Sequence, residues 1–257
     1  MNTTLTQVAW LARRSALRTL RRPAAFLPML GFPVLLLALF AGGLDLSTRV
    51  PGFPTDSYFS FLLAGGFVQG ALVGGVNTGL DLVSDVQSGF FGRLLLTPMN
   101  RGLIVLAQLC GSAMLAVIQS LICLLAGGVV GVWPHSLAEA VVIVALSAVM
   151  GMAFSSCGAF LALRTRSSEA VLATFPLTFV LLLFSSFFMP RNLMTAGWFR
   201  TLASWNPVTY LIEAVRAPLI GGNVAHATGV GFAIAAGLAA VTVSLTVGRL
   251  STRTVTV

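Results

Sequence analysis

His135 and His226 are the only histidines in a chain of 257 residues, and neither lies beside a cysteine or a cluster of carboxylates. Nucleophilic catalysis needs a base within reach of a serine or cysteine, and a catalytic metal needs ligands at set spacings. The chain has no GxSxG and no HExxH. Its three cysteines, Cys110, Cys123 and Cys157, all fall inside apolar runs at no metal-ligand spacing, and read as small hydrophobes. All fifteen basic residues are arginine. A Walker loop needs a lysine beside its glycines to reach nucleotide phosphates, so this chain carries none. It is expected to be no enzyme by itself, with no catalytic residue, metal or cofactor of its own.

The seven acids are Asp45, Asp56, Asp81, Asp85, Glu139, Glu169 and Glu213, all at the ends of apolar segments or in the stretches between them. A carrier driven by protons or ions needs ionisable groups at membrane depth. Energy for transport must then enter from outside, through a surface. The candidate surface is "SGFFGRLLLTPMNR", residues 88–101. Asp81 and Asp85 precede it, one helical turn apart. Ser88, Gly89 and Gly92 loosen the backbone, Leu94, Leu95 and Leu96 form an apolar knob, and Thr97 and Pro98 end the helix. Arg93 and Arg101 flank it. A short helix with an apolar tip and a charged rim suits a partner's groove. A tight turn whose leucines sink into the bilayer boundary fits the same residues.

The elements that would hold this surface are membrane helices. The chain is 57% hydrophobic and 9% charged, against about 25% charged in soluble domains, so lipid is its solvent. The net charge of +8 comes from arginines at segment ends rather than in one stripe, which points to anionic headgroups and not to nucleic acid. Six segments, near 26–44, 58–80, 103–133, 137–163, 170–190 and 229–248, are long enough to span a core that takes about 20 helical residues. Strand-like alternation is absent, which argues against an outer-membrane barrel. The fold class is an all-α membrane protein, residues 1–257 forming a single transmembrane domain.

With six spans, Arg13, Arg14, Arg18, Arg21, Arg22, Arg93, Arg101, Arg164, Arg166, Arg249 and Arg253 share one side. Arg49, Arg191, Arg200 and Arg216 share the other. The positive-inside rule then puts both termini and residues 81–102 in the cytoplasm. A cleavable signal peptide is the rival reading of the first segment, but its apolar run exceeds the usual 7–15 residues, roughly. Before that segment, Leu5, Val8, Ala9, Ala12, Ala16 and Leu20 form a stripe opposite Arg14, Arg18, Arg21 and Arg22. Residues 1–25 are thus expected to hold an interfacial helix, with Trp10 at headgroup level. A plain topology signal is the simpler alternative.

Residues 190–227 are too long and apolar for an external loop. They predict two short helices divided at Asn206 and Pro207, with Asn206 as cap, Pro207 in the first turn, and Gly221 and Gly222 as the stop. Arg200, Glu213 and Arg216 would be costly in open lipid. An outer re-entrant or interface-lying hairpin accommodates them if protein covers its backbone. Glu213 and Arg216 stand one turn apart and are placed to pair, an exposed pair being worth up to about 1 kcal/mol.

Two of these blocks, "SGFFGRLLLTPMNR" and "SSFFMPRNLM…W…LASWNPVTYLIEAVRAPLIGG", resemble signatures of type-2 ABC exporter permeases, especially the daunorubicin-resistance-like subgroup. The resemblance implies a six-helix subunit that pairs with a second copy, or a related permease, and binds two ABC ATPase subunits carrying ATP and magnesium. Asp85, Gly89, Arg93, Leu94, Leu95, Thr97, Pro98 and Arg101 would form the ATPase-coupling region. The interfacial helix, with Trp10, Arg14, Arg18 and Arg21, would be a second contact. Asn206, Pro207, Tyr210, Glu213 and Arg216 would belong to the outer re-entrant gate. The path would run between two copies, with Phe67, Gln69, Asn77, Phe179, Phe184 and Phe187 as candidate lining. Here "GFFGR" and "DVQSG" lack the acidic residue and the arginine common in relatives, so coupling would rest more on apolar packing. The expected function is export of amphipathic drugs, lipids or glycolipids across the plasma (inner) membrane by alternating access. A secondary carrier or channel without an ATPase partner is the alternative. A membrane-embedded enzyme is a third reading, disfavoured by the missing nucleophile–base pair.

Overall fold

The structure, a computed structural model, describes Trp10, residues 23–90, Arg93 and residues 101–251. Every regular element among them is helical. In order these are α1 (Pro23–Leu44), α2 (Tyr58–Gln87), α3 (Arg101–Val129), α4 (Leu137–Thr165), α5 (Ser168–Leu172), α6 (Phe175–Leu183), α7 (Gly197–Trp205), α8 (Pro207–Ile220) and α9 (Val224–Ser251). Arg14, Arg18 and Arg21 of the expected interfacial helix lie outside the described residues, as do Leu94, Leu95, Thr97 and Pro98 of the expected coupling region.

Serine caps set several helix starts. Ser57, Ser136 and Ser167 each offer a side-chain oxygen to the amide three residues on, those of Ser60, Glu139 and Ala170. Among the described residues, four helices are long and apolar enough to cross a membrane: Tyr58–Gln87, Leu106–Val129, Leu137–Thr165 and Val224–Gly248. Helix α1 has 22 residues.

The expected fifth span is not one helix. It breaks at residues 173–174 and ends at Leu183. Pro176 supplies the reason: it has no N–H for the Leu172 carbonyl and its ring crowds that carbonyl, so α5 stops and α6 restarts with proline in its first turn. Helix α2, by contrast, continues about two turns past the expected end, carrying Asp81 and Asp85 within it.

Helix α2 is the central element. Phe61, Leu62, Leu63 and Phe67 are wholly buried on it, and it touches α1, α3, α4, α5, α6 and α8. Its seam with α4 is made of small residues. A Cβ placed on Gly158 would sit 2.0 Å from the Gly75 carbonyl oxygen, and one on Gly75 would sit 2.6 Å from that of Phe154. Gly75 and Gly79 thus let the two backbones meet, as helices without a hydrophobic drive between them require. Thr78 Oγ1 donates to Ser155 Oγ at 3.1 Å beside the seam. The Ser156 and Thr242 hydroxyls join α4 to α9.

Gly158→Val should separate the seam and destabilise the fold by about 1–3 kcal/mol, read as a shift in denaturing-detergent unfolding in mixed micelles. Gly237→Ala, at a helical glycine with no neighbour within 4 Å among the described residues, should not destabilise it and should add up to about 1 kcal/mol, the helix preference of alanine over glycine.

Candidate functional site

The last carbonyls of a helix have no amide partner within it. At α6 this happens in the interior, because residues 184–190 are not helical and Ser185, Ser186 and Phe187 are buried. Each buried carbonyl there needs a donor. Helix α8 and the start of α2 supply them.

Asn206, between α7 and α8, closes two ends at once. Its Nδ2 donates to the carbonyls of Leu181 at 2.6 Å and Phe184 at 2.9 Å. Its Oδ1 accepts from the Val208 amide at 3.0 Å. Pro207 follows in the first turn, where a missing N–H costs nothing. Further along α8, Arg216 Nε donates to the Phe61 carbonyl at 3.3 Å, and Nη2 to those of Ser186 at 2.8 Å and Phe187 at 3.5 Å. The guanidinium carbon lies 3.6 Å from the centre of the Phe61 ring, a desolvated cation over an aromatic face. Tyr58 Oη donates to the Phe188 carbonyl at 2.8 Å. A lysine at 216 would lack the planar fork that reaches carbonyls on two elements together.

The expected Glu213–Arg216 pair does not form. Arg191 takes Glu213 instead, Nε to Oε1 at 2.8 Å and Nη2 to Oε2 at 2.5 Å. Arg216 points into the core, where three carbonyls claim it, whereas Glu213 stays partly exposed beside Arg191. Arg191 also stands over the Tyr210 ring, 4.9 Å from its centre, and Tyr210 Oη donates to the Ser204 carbonyl at 2.8 Å. Arg200 donates to the Met194 carbonyl through Nε and Nη2. His135, in the α3–α4 connection, has Nδ1 3.2 Å from the Pro218 carbonyl and 3.7 Å from Glu139 Oε2.

The structure therefore brings together Asn206, Pro207 and Arg216 around the helix break, with Tyr210 and Glu213 beside them. Sequence reasoning missed Tyr58, Phe61 and Arg191. Arg191 directly follows the Met189-Pro190 stop, but nothing local marks a partner 22 residues away.

The six candidate path residues have different surroundings within the chain. Phe67 and Phe187 are core residues, the Phe187 ring resting on Gly65. Phe179 packs on Phe175, and Phe184 on Trp198 and Phe199. Asn77 lines a cavity of about 20 Å³ with Thr78, Asp81, Gln108, Ser112 and Ser155, room for about one water. Gln69 is buried, and neither its Nε2 nor its Oε1 has a partner among the described residues.

At the opposite end of α2, Asp85 lies in the last turns, Gly89 has φ +70°, and Arg93 is helical and exposed. Arg101 opens α3. Gln87 Nε2 donates to the Arg166 carbonyl at 3.4 Å, tying this end to the α4–α5 turn. Among the described residues no group of three or more His, Cys, Asp or Glu could hold a metal ion.

Residues 6–220 match the family model described as ABC-2 type transporter. The chain belongs to the ABC-2 type transporter family. The match runs through the 88–101 stretch and ends with the last residue of α8, so it contains the whole helix-break clamp. The chain is 28% identical to the transport permease ycf38 of Porphyra purpurea over 212 residues, 82% of this chain and 72% of that protein. It is 26% identical to the protein of the same name from Cyanophora paradoxa over 208 residues, 80% and 71% of the two chains. As an ABC-2 permease it is a multi-pass membrane subunit of a transporter. The family part of the sequence resemblance is borne out.

Asn206→Ala should destabilise the permease by about 2–4 kcal/mol, from a lost cap and carbonyls left without donors. Glu213→Gln should cost under about 1 kcal/mol, because its pair is partly exposed. Thermal unfolding in detergent, followed by tryptophan fluorescence, separates the two.

Proposed function

We propose that this permease is the membrane half of an ATP-driven exporter of the daunorubicin-resistance-like kind. It moves amphipathic drugs, lipids or glycolipids outward by alternating access. Two copies form the path, two ABC ATPase subunits bind below, and ATP and magnesium sit on those subunits. Both termini and the 88–101 stretch face the cytoplasm of a plasma (inner) membrane. The clamp then lies on the outer side, where α7 and α8 form a re-entrant gate. The sixfold span count includes α1 and the broken α5–α6 segment, whose open backbone the clamp covers, as irregular backbone in a membrane requires.

One observation carries the reading. The acids of the long helices lie near their ends, Glu139 in the first turn of α4 and Asp81 and Asp85 in the last turns of α2. Acids confined to helix ends, in a family of transporters, fit an external motor better than coupling to protons or ions. The partner's contact is the 88–101 stretch, with Leu95, Asp85 and Arg93 as its contact residues. Gln69, buried with two unmet polar groups, is the path residue with the strongest claim, since a polar cargo group or water entering between helices would satisfy it.

Copurification with an ATPase encoded beside the permease gene tests this. Wild type should retain the ATPase and stimulate ATP hydrolysis. Leu95→Asp should lose both, by about tenfold or more, since it buries a charge in an apolar groove. Normal assembly and coupling by Leu95→Asp would overturn that contact. Transport without any ATPase would favour the carrier or channel reading. Gln69→Leu should raise unfolding stability by about 1–3 kcal/mol, by removing unmet buried groups, while lowering cargo-stimulated ATP hydrolysis.

A further inference from the structure

Arg216 keeps part of its guanidinium out of the clamp. Nε and Nη2 serve the three carbonyls, and Nη1 has no hydrogen-bond partner among the described residues. The residue is 6% exposed and lines an open cleft of about 350 Å³. Phe61, Pro190 and Ile220 give the cleft apolar wall, and Arg191 and Glu213 also line it.

The charges do not balance. Arg191 and Arg216 share one anion, Glu213, which both nitrogens of Arg191 hold and which acts on Arg216 only at longer range, so one positive charge is left over. A guanidinium taken out of water is costly without a counter-ion, and carbonyl dipoles offset only part of that cost. A planar fork with two free N–H groups suits a phosphate oxygen, the pairing arginine makes most strongly. The neighbouring phenylalanine, proline and isoleucine side chains suit hydrocarbon.

We propose that this cleft binds the phosphate headgroup of an amphiphile, the phosphate on Arg216 Nη1 and the start of its chain against Phe61, Pro190 and Ile220. The site rests on the export reading only for its position on the outer side, where an exported amphiphile would leave the path.

The test uses the full-length chain in neutral detergent, with ligand occupancy read by native mass spectrometry. Dioctanoyl phosphatidic acid should bind about tenfold tighter than dioctanoylglycerol, which has the same chains and no phosphate, the value of one hydrogen bond to a charged group. Arg216 itself holds the clamp, so variants are placed beside it. Ala227→Phe fills the cleft from its wall and should weaken phosphatidic acid binding about tenfold, the loss of that same bond, with unfolding unchanged. Glu213→Gln removes the one anion and should tighten it. Equal affinity for the two lipids, wild-type affinity in Ala227→Phe, or weaker binding in Glu213→Gln would overturn the site. Inorganic phosphate competing as well as phosphatidic acid would overturn the amphiphile. No ATPase or nucleotide is present, so failure here leaves the coupling reading standing.

Discussion

A helix that stops inside an apolar bundle must give its carbonyls to donors on other elements. That constraint acts at the end of α6, and the positions of α2, α7 and α8 follow from it. The carbonyls of Leu181, Phe184, Ser186, Phe187 and Phe188 are met by Asn206, Arg216 and Tyr58. An unmet buried carbonyl costs about 1–3 kcal/mol, and whole domains are stable by only about 5–15 kcal/mol. Leaving several open would unfold the protein. The side chains that meet them are thus held in place by the backbone they serve, which makes this end rigid around an otherwise broken helix.

Helix α2 connects that rigid end to the other end of the bundle. Tyr58 and Phe61 belong to the clamp, and Asp85 lies in the same 30-residue helix. Between them Gly75 and Gly79 lie against Gly158, where backbone meets backbone with no side chain interposed. Interdigitated side chains would lock two helices in register, and a seam of glycines has fewer such locks. In the exporter reading, motion of the cytoplasmic end relative to α4 reaches the outer gate along a single helix, the kind of shear that packed helices allow.

Local chemistry was legible in the sequence. The Asn206 cap, the first-turn Pro207 and the glycine stop after Ile220 rest on rules that span a few residues, and all three stand where those rules put them. Non-local choices were not legible. Glu213 and Arg216 share a helix face by spacing, but spacing does not say which of them meets the core, and Arg191 took the carboxylate. Hydropathy joined α5 and α6 into one span although Pro176 marks the break. The contact of Gly158 with Gly75 depends on a crossing no local pattern encodes. The family was legible from two motif blocks, yet residues such as Leu95 and Arg18 lie outside the described residues.

The central claim is that Asn206 holds the broken end of α6 from the neighbouring helix. Proton exchange of its side-chain amide measures this directly, by nuclear magnetic resonance of the asparagine-labelled permease in nanodiscs. Two short bonds to buried carbonyls should make the Asn206 Nδ2 protons exchange orders of magnitude more slowly than those of exposed Asn223. Equal exchange at the two positions would contradict the account.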